Sequence, residues 1–248
     1  PLRAEVIKEI QNKNKDVQLF VVGDDWQSIY RFSGGDIDII VSKFKEYFGK
    51  ATIKELGLTY RFNQKLCELT SSFIQKNPKQ LKKNITGMGS FNKIPVEIYR
   101  QKNHSNFRID FSLKKKLLEN LDEIFQNDKN VKTILFLSRY REFNYSNGYE
   151  DLKKYLNNIF KIKKNLFKFS TIHSAKGAEA DYVFILNISD GHLGFPSTIE
   201  DDPLLKLANY DREDDLNLEK ELSNAEERRV FYVALTRTKK KVFLYGED

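Results

Sequence analysis

The protein has 248 residues, of which 40% are hydrophobic and 13% aromatic, so it can bury one good core with at most a small appendage. Its formal charge of +7 suits a polyanionic partner, although charge alone does not identify one. The single cysteine, Cys67, excludes an internal disulfide and a cysteine-based zinc cluster, and no apolar run is long enough to predict a membrane span. No leading segment resembles a signal peptide. We therefore expect one main domain in the cytoplasm.

Short β-rich runs alternate with amphipathic stretches, which is typical of a parallel sheet flanked by helices. The predicted strands are 17–22, 52–58, 95–99, 133–138, 167–172, 182–186 and 241–245. One predicted helix runs through 62–74 and ends before Pro78, and two others are capped by Ser112 and Ser223. The acidic stretch 200–221 is expected to be a long loop. The chain begins at Pro1 and its only methionine is Met88, so we expect it to be a piece of a longer polypeptide.

The 23–32 motif, Gly-Asp-Asp-Trp-Gln-Ser-Ile-Tyr-Arg-Phe, directly follows the first predicted strand. Strand ends are where ligands bind in α/β sheets. The amide of Gln27 can sense a phosphate or its attacking water, and the rings of Tyr30 and Phe32 can stack on bases. A polar turn followed by core aromatic residues explains the same pattern equally well, so both interpretations stay open.

Two arginines lie at junctions between predicted elements. Arg61, in the 59–63 motif Thr-Tyr-Arg-Phe-Asn, lies between a strand and a helix, where a guanidinium can reach a ligand bidentately. Arg237, near the end of the 226–239 motif, lies between the end of a predicted helix and the start of a predicted strand. From that position it can act as an arginine finger. An isolated surface arginine is the alternative for Arg61. The charges at 226–229 are expected to form solvated pairs on the helix.

The 171–179 motif, Thr-Ile-His-Ser-Ala-Lys-Gly-Ala-Glu, takes a predicted strand into a turn of small residues. Such a turn exposes backbone N–H groups, a hydroxyl and a cation, which suits a phosphodiester backbone. The alternative is a loop with incidental charges, in which His173 is structural.

In order, spacing and identity these four motifs resemble motifs III, IV, V and VI of the UvrD/Rep family of superfamily 1 DNA helicases. The run at 21–34 looks most like the helicase IV branch. The resemblance implies an α/β, RecA-like P-loop NTPase-type fold with a mainly parallel sheet. It also implies two motor domains that clamp ATP and step 3′ to 5′ along single-stranded DNA. Residues 1–50 would be the C-terminal remnant of the first motor domain, and 51–248 the second.

By position in those motifs, the resemblance assigns five residues to the nucleotide. Gln27 would sense the γ-phosphate, and Arg61 and Arg237 would contact it from the second motor domain. Tyr60 would pack near the adenine and Glu179 would lie at the ribose.

The resemblance assigns four further residues to DNA. Tyr30 and Phe32 would stack on bases, while Thr171 and His173 would touch the backbone or support the loop that does. The expected partners are single-stranded and duplex DNA and the missing N-terminal motor domain, with no membrane.

The chain lacks the Gly-x-x-x-x-Gly-Lys-Ser/Thr phosphate loop (Walker A) and the apolar strand ending in Asp-Glu (Walker B) that would hold magnesium. We therefore expect ATP and Mg²⁺ to serve the full-length parent, and expect neither turnover nor a stably bound cofactor in the chain alone. No metal site is expected within it. A helicase–nuclease subunit and a non-catalytic DNA-binding or scaffold module remain alternative functions. The leading segment 1–50 is expected to expose apolar surface.

Overall fold

A computed structural model of the chain describes residues 2–14, 16–78, 80–101, 111–141, 148–191, 194–199 and 216–247. The backbone divides into two compact units. The first unit comprises Pro1–Gly57, Ser71–Ile85 and Glu200–Tyr232. The second unit comprises Leu58–Thr70, Thr86–Ile199 and Val233–Asp248.

The strands of the described residues all belong to the second unit, and every paired strand runs parallel to its neighbour. In chain order they are β1 (Leu58–Thr59), β2 (Thr86–Gly87), β3 (Val96–Gln101), β4 (Ile134–Ser138), β5 (Phe167–Thr171), β6 (Ala180–Ile188) and β7 (Thr238–Glu247). Strands β1 and β2 form a small sheet by themselves. The other five form one sheet in the order β3-β7-β6-β4-β5, which confirms the predicted α/β class with a mainly parallel sheet.

The α-helices of the described residues are α1 (Leu2–Lys13), α2 (Asp38–Val41), α3 (Phe44–Phe48), α4 (Gln64–Ile74), α5 (Phe111–Asn127), α6 (Gly148–Ile159) and α7 (Leu216–Leu235). Among these helices, none combines the length and apolar character that crossing a membrane requires. Helix α5 buries Leu117 and Leu121, four residues apart on one face, against the five-stranded sheet. Phe136 and Phe184 are fully buried in the same core, with ring centroids 5.0 Å apart.

Strands 95–99, 133–138, 167–172, 182–186 and 241–245 and the helix at 62–74 were predicted close to their observed positions. The strand predicted at 17–22 is wrong, because this stretch is irregular and the side chain of Phe20 is 90% exposed. Of the strand predicted at 52–58, only its last residue joins β1.

The predicted helix caps are also wrong, since Ser112 lies inside α5 and Ser223 lies inside α7. Helix α7 begins at Leu216, so the end of the predicted 200–221 loop is helical. The rest of that loop lies outside the described residues.

Candidate functional site

Arg61 lies in the turn between β1 and α4 and links two other motifs of the second unit. Its Nε donates to Glu179 Oε2 at 3.3 Å, and its Nη1 donates to the carbonyl oxygen of Thr236 at 3.2 Å. Lys239 Nζ lies 2.6 Å from the other carboxylate oxygen of Glu179. The hydrogen bonds from Lys239 and from Arg61 hold the pKa of Glu179 below its usual value. Sequence reasoning missed Lys239, although it follows Arg237 by only two residues.

Arg237 follows the C-terminal end of α7, and only 1% of it is exposed. Its Nε donates to the carbonyl oxygen of Val233 at 2.8 Å, and its Nη1 to that of Ala178 at 3.4 Å. Its Nη2 donates to Thr236 Oγ1 at 3.2 Å. Both predicted arginines therefore contact Thr236, one through its carbonyl oxygen and the other through its hydroxyl.

Tyr60 precedes Arg61 in the same turn, and 75% of it is exposed. A large aromatic ring exposed to this degree keeps most of its face available for stacking on a planar ligand. The structure thus brings Arg61 into direct contact with Glu179, and Thr236 contacts both Arg61 and Arg237. Tyr60 precedes Arg61 in the chain.

The 171–179 motif begins at the carboxyl end of β5 and folds into a turn. Thr171 Oγ1 donates to Ser174 Oγ at 3.0 Å and accepts from the backbone N–H of Ser174 at 3.3 Å. Gly177 has a φ of 88°, in the left-handed region that favours glycine. Thr171 and His173 are half-buried, whereas Ser174 is exposed, so this turn presents polar groups at the strand end.

Three residues that sequence reasoning missed, Arg139, Tyr140 and Ser197, form a chain of contacts that starts at His173. Arg139, which follows β4, has its Nη1 3.3 Å from His173 Nδ1, and its guanidinium lies 4.8 Å from the centre of the Tyr140 ring. The hydroxyl of Tyr140 lies 2.7 Å from Ser197 Oγ. A signal for this cluster existed in the sequence, because Arg139 follows a strand that pairs with β5, and carboxyl ends of parallel strands meet at one edge.

In the first unit, the 23–32 motif forms a short helical turn at Asp25–Gln27. Asp24 Oδ1 accepts from the backbone N–H of Trp26 at 3.1 Å, and Asp24 Oδ2 accepts from Gln27 Nε2 at 2.6 Å. The amide of Gln27 is therefore oriented by a carboxylate of its own turn.

Tyr30 and Phe32 lie on the surface of the first unit, 37% and 57% exposed, with ring centroids 5.9 Å apart. Neither of these two rings is buried in the core of the unit, whereas Trp26 and Ile29 of the same motif are fully buried. A side chain at Gly35 would place Cβ 2.8 Å from the carbonyl oxygen of Tyr30, so this close approach requires glycine.

The charges of α7 near this motif are not the solvated pairs that we expected. Arg229 is 6% exposed and its Nε donates to the carbonyl oxygen of Ser28 at 2.7 Å. Glu226 Oε1 accepts from the backbone N–H of Arg31 at 3.0 Å. These two side chains fix the backbone of the 23–32 motif, because charged groups buried at a contact are held by hydrogen bonds to their neighbours.

Comparison with known families identifies the chain. Residues 37–246 match the UvrD-like helicase C-terminal domain, and residues 1–48 match the UvrD/REP helicase N-terminal domain. The chain belongs to the UvrD-like helicase family. This UvrD-like chain is 34% identical to DNA helicase IV of Escherichia coli K12 over 98% of its own length, and spans 31% of that protein.

Other relatives of this UvrD-like chain match shorter stretches. The exonuclease/helicase subunit RexA of Lactococcus lactis is 29% identical over 41% of the chain, which spans 12% of that subunit. The crystal structure of the C-terminal domain of a possible DNA helicase from Lactobacillus plantarum WCFS1 aligns with 76% of the chain and 87% of its own, at 14% identity and a TM-score of 0.37.

Proposed function

We propose that this chain is the C-terminal part of an ATP-dependent DNA helicase that works in the cytoplasm. The parent would translocate 3′ to 5′ on single-stranded DNA and unwind duplex in repair or recombination. In this proposal residues 1–50 complete the first motor domain, and 51–248 form the second. The observation that carries the proposal is the convergence of Arg61 and Arg237 on Thr236, in a chain of a helicase family.

In this proposal, four residues of the second unit contact ATP. Arg61 and Arg237 offer guanidinium groups to the γ-phosphate, where a fixed positive charge stabilises the phosphoryl group in transfer. Glu179 offers a carboxylate to the ribose hydroxyls, since its pKa lies below the usual value and it is ionised at neutral pH. Tyr60 offers a ring to the adenine. Bound ATP supplies the phosphoanhydride bond whose hydrolysis drives stepping.

Gln27, in the first unit, is proposed to sense the γ-phosphate through its amide. The described residues contain no group of three or more His, Cys, Asp or Glu side chains placed to hold a metal ion. We expect the phosphate loop and the metal ligands to come from the missing N-terminal motor domain, and the chain alone to hydrolyse no ATP.

The DNA contacts in this proposal come from both units. Tyr30 and Phe32 stack on bases without reading their sequence. Thr171 and His173 contact the sugar-phosphate backbone, and the neighbouring Arg139 supplies a positive charge for the same backbone.

The decisive test is the ATPase activity of the parent protein, with and without single-stranded DNA, in Arg61→Ala and Arg237→Ala variants. An arginine that contacts a transferring phosphoryl group contributes roughly 10³-fold or more to turnover. We therefore expect each substitution to abolish DNA-stimulated hydrolysis while nucleotide and DNA still bind.

The exposed Arg100, at the end of β3, provides the matched control, and Arg100→Ala is expected to retain full turnover. Loss of folding is excluded by comparing the far-UV circular dichroism of all variants. Unaltered turnover in Arg61→Ala and Arg237→Ala would contradict the proposed roles. A parent without ATPase activity would favour the non-catalytic scaffold.

A further inference from the structure

In the first unit, a short segment at 80–83 forms hydrogen bonds with the turn that carries Gln27. Gln80 Nε2 and the backbone N–H of Leu81 both donate to Asp25 Oδ2, the latter at 2.9 Å. The indole Nε1 of Trp26 donates to the carbonyl oxygen of Leu81 at 2.8 Å. Asp25 and Trp26 are both buried, so these hydrogen bonds satisfy buried polar groups and hold the backbone of the turn in place.

Lys83 is the positively charged member of this segment. Its Nζ lies 2.8 Å from Asp24 Oδ1, forms an ion pair with Asp25, and lies 5.2 Å from the centre of the Trp26 ring. The side chain is 20% exposed, whereas that of Asp25 is fully buried. Burial by itself lowers the pKa of Lys83, but the hydrogen bonds to both carboxylates outweigh it and raise the pKa above its ordinary value. Lys83 therefore carries its charge at neutral pH.

The two carboxylates that Lys83 contacts stand directly beside Gln27. Asp24 also accepts the hydrogen bond from Gln27 Nε2, so one carboxylate joins the ammonium group and the amide. Without the ammonium group, two adjacent negative charges would remain next to a side chain assigned to a phosphate. Like charges at such a place repel a phosphate, and a buried carboxylate without its partner rearranges.

We propose that Lys83 is a positioning residue for ATP hydrolysis. It neutralises Asp24 and Asp25, and through Asp24 it holds the Gln27 amide in the orientation that meets the γ-phosphate. This inference rests on the proposed function, in which Gln27 senses that phosphate.

The first arm of the test uses the 248-residue chain and its single tryptophan, Trp26, as the reporter. Lys83→Met should shift the emission maximum of Trp26 and increase its quenching by acrylamide, while Lys83→Arg should leave both close to those of the unmodified chain. The exposed neighbour Lys82 gives the matched control, and Lys82→Met should change neither. The pair Lys83→Met with Asp25→Asn keeps the test usable if the single variant does not fold, because it leaves no uncompensated charge at Asp25. Trp26 emission that is unchanged in a folded Lys83→Met chain would overturn the contact.

The second arm measures kcat of the parent at saturating ATP and single-stranded DNA. Lys83→Met should lower kcat about tenfold or more, and Lys83→Arg should restore most of it. In a Gln27→Ala background the same Lys83→Met change should cost less than about twofold, because residues that act as a unit are not additive. A general loss of folding would cost the same factor in both backgrounds, and that result would overturn the proposal.

The two arms separate the possible failures. A parent without ATPase activity overturns the proposed function, whereas the fluorescence arm still reports the Lys83 contact. An active parent in which Lys83→Met retains full kcat overturns the positioning role alone.

Discussion

Arg237 and Tyr60 show how differently two residues assigned to one nucleotide are placed. Tyr60 is 75% exposed, whereas Arg237 is 1% exposed and donates to the carbonyl oxygens of Val233 and Ala178. The sequence predicts the residue type and the junction at which each lies. The direction of a guanidinium depends on which carbonyl oxygens the surrounding turns present, and a motif does not specify those. Lys239 and Arg139 were not predicted as site residues, because their partners Glu179 and His173 lie far away in the sequence.

A residue-scale prediction concerns the rings of Tyr30 and Phe32. If they stack on bases, Tyr30→Ala and Phe32→Ala in the parent should each weaken binding of a fluorescent single-stranded oligonucleotide by about 1–3 kcal/mol, measured by anisotropy. The loss should not depend on base sequence, because every base offers a face for stacking.

Tyr155, a 39% exposed tyrosine of α6, is the matched control, and Tyr155→Ala should bind the oligonucleotide as tightly as the unmodified parent. If removing either ring of the 23–32 motif leaves the affinity intact, the stacking role is wrong.

At the scale of elements, the strands of the five-stranded sheet could be predicted from the sequence. The strand predicted at 17–22 was wrong. The central strands β7, β6 and β4 have a paired strand at each edge, and burial satisfies their apolar pattern, as at Ile134 and Val183. The run 17–22 has equally good β-formers, yet Phe20 and Val22 are 90% and 73% exposed. Preference for a strand arises mostly from packing on a sheet, and the sequence of one run does not say whether that sheet is present.

An element-scale prediction concerns acid stability and the junction of α5, β6 and β7. Asp128, at the end of α5, contacts Lys240 and accepts from the Tyr182 hydroxyl at 3.0 Å. Burial by itself raises the pKa of Asp128, but these hydrogen bonds outweigh it and hold the pKa below its usual value. Because the folded pKa is the lower one, the stabilisation is present above the unfolded pKa of about 4 and is lost as pH falls below it.

Thermal melts of the chain should therefore keep a constant midpoint from pH 7 to about 5 and lose stability below about 4. Asp128→Asn should reduce the unfolding free energy at pH 7 by about 1–2 kcal/mol and make the decline at low pH shallower. The exposed Asp122 of the same helix is the control, and Asp122→Asn should follow the unmodified chain. If the melting midpoint of Asp128→Asn follows that of the unmodified chain at every pH, the proposed stabilisation by Asp128 is wrong.

At the scale of the whole molecule, the leading segment exposes the apolar surface that we expected. Leu2, Phe20 and Val22 are each more than two-thirds exposed. Exposed apolar side chains in one stretch of chain promote association or binding to another protein surface. In the proposed function, that surface belongs against the missing N-terminal motor domain.

The corresponding prediction is that the isolated chain self-associates as its concentration rises, in sedimentation velocity. Replacing Phe20 and Val22 together by Asp should reduce association, because charges oppose burial of this stretch. Ile159→Asp, at a 47% exposed position at the end of α6, is the control and should associate like the unmodified chain. Equal association of all three proteins would mean that another surface is responsible.

Strand β7 follows every other described strand in sequence, yet it lies between β3 and β6. During synthesis on the ribosome, β3 thus emerges long before β7, its neighbour among the described strands, and β6 lacks its β7 partner in the meantime. Pairing Val96 with Val242 closes a very long loop, and such distant contacts form slowly. The nascent sheet therefore stays incomplete until β7 has left the exit tunnel, and through that interval the edge that β7 will occupy keeps unpaired backbone N–H and C=O groups.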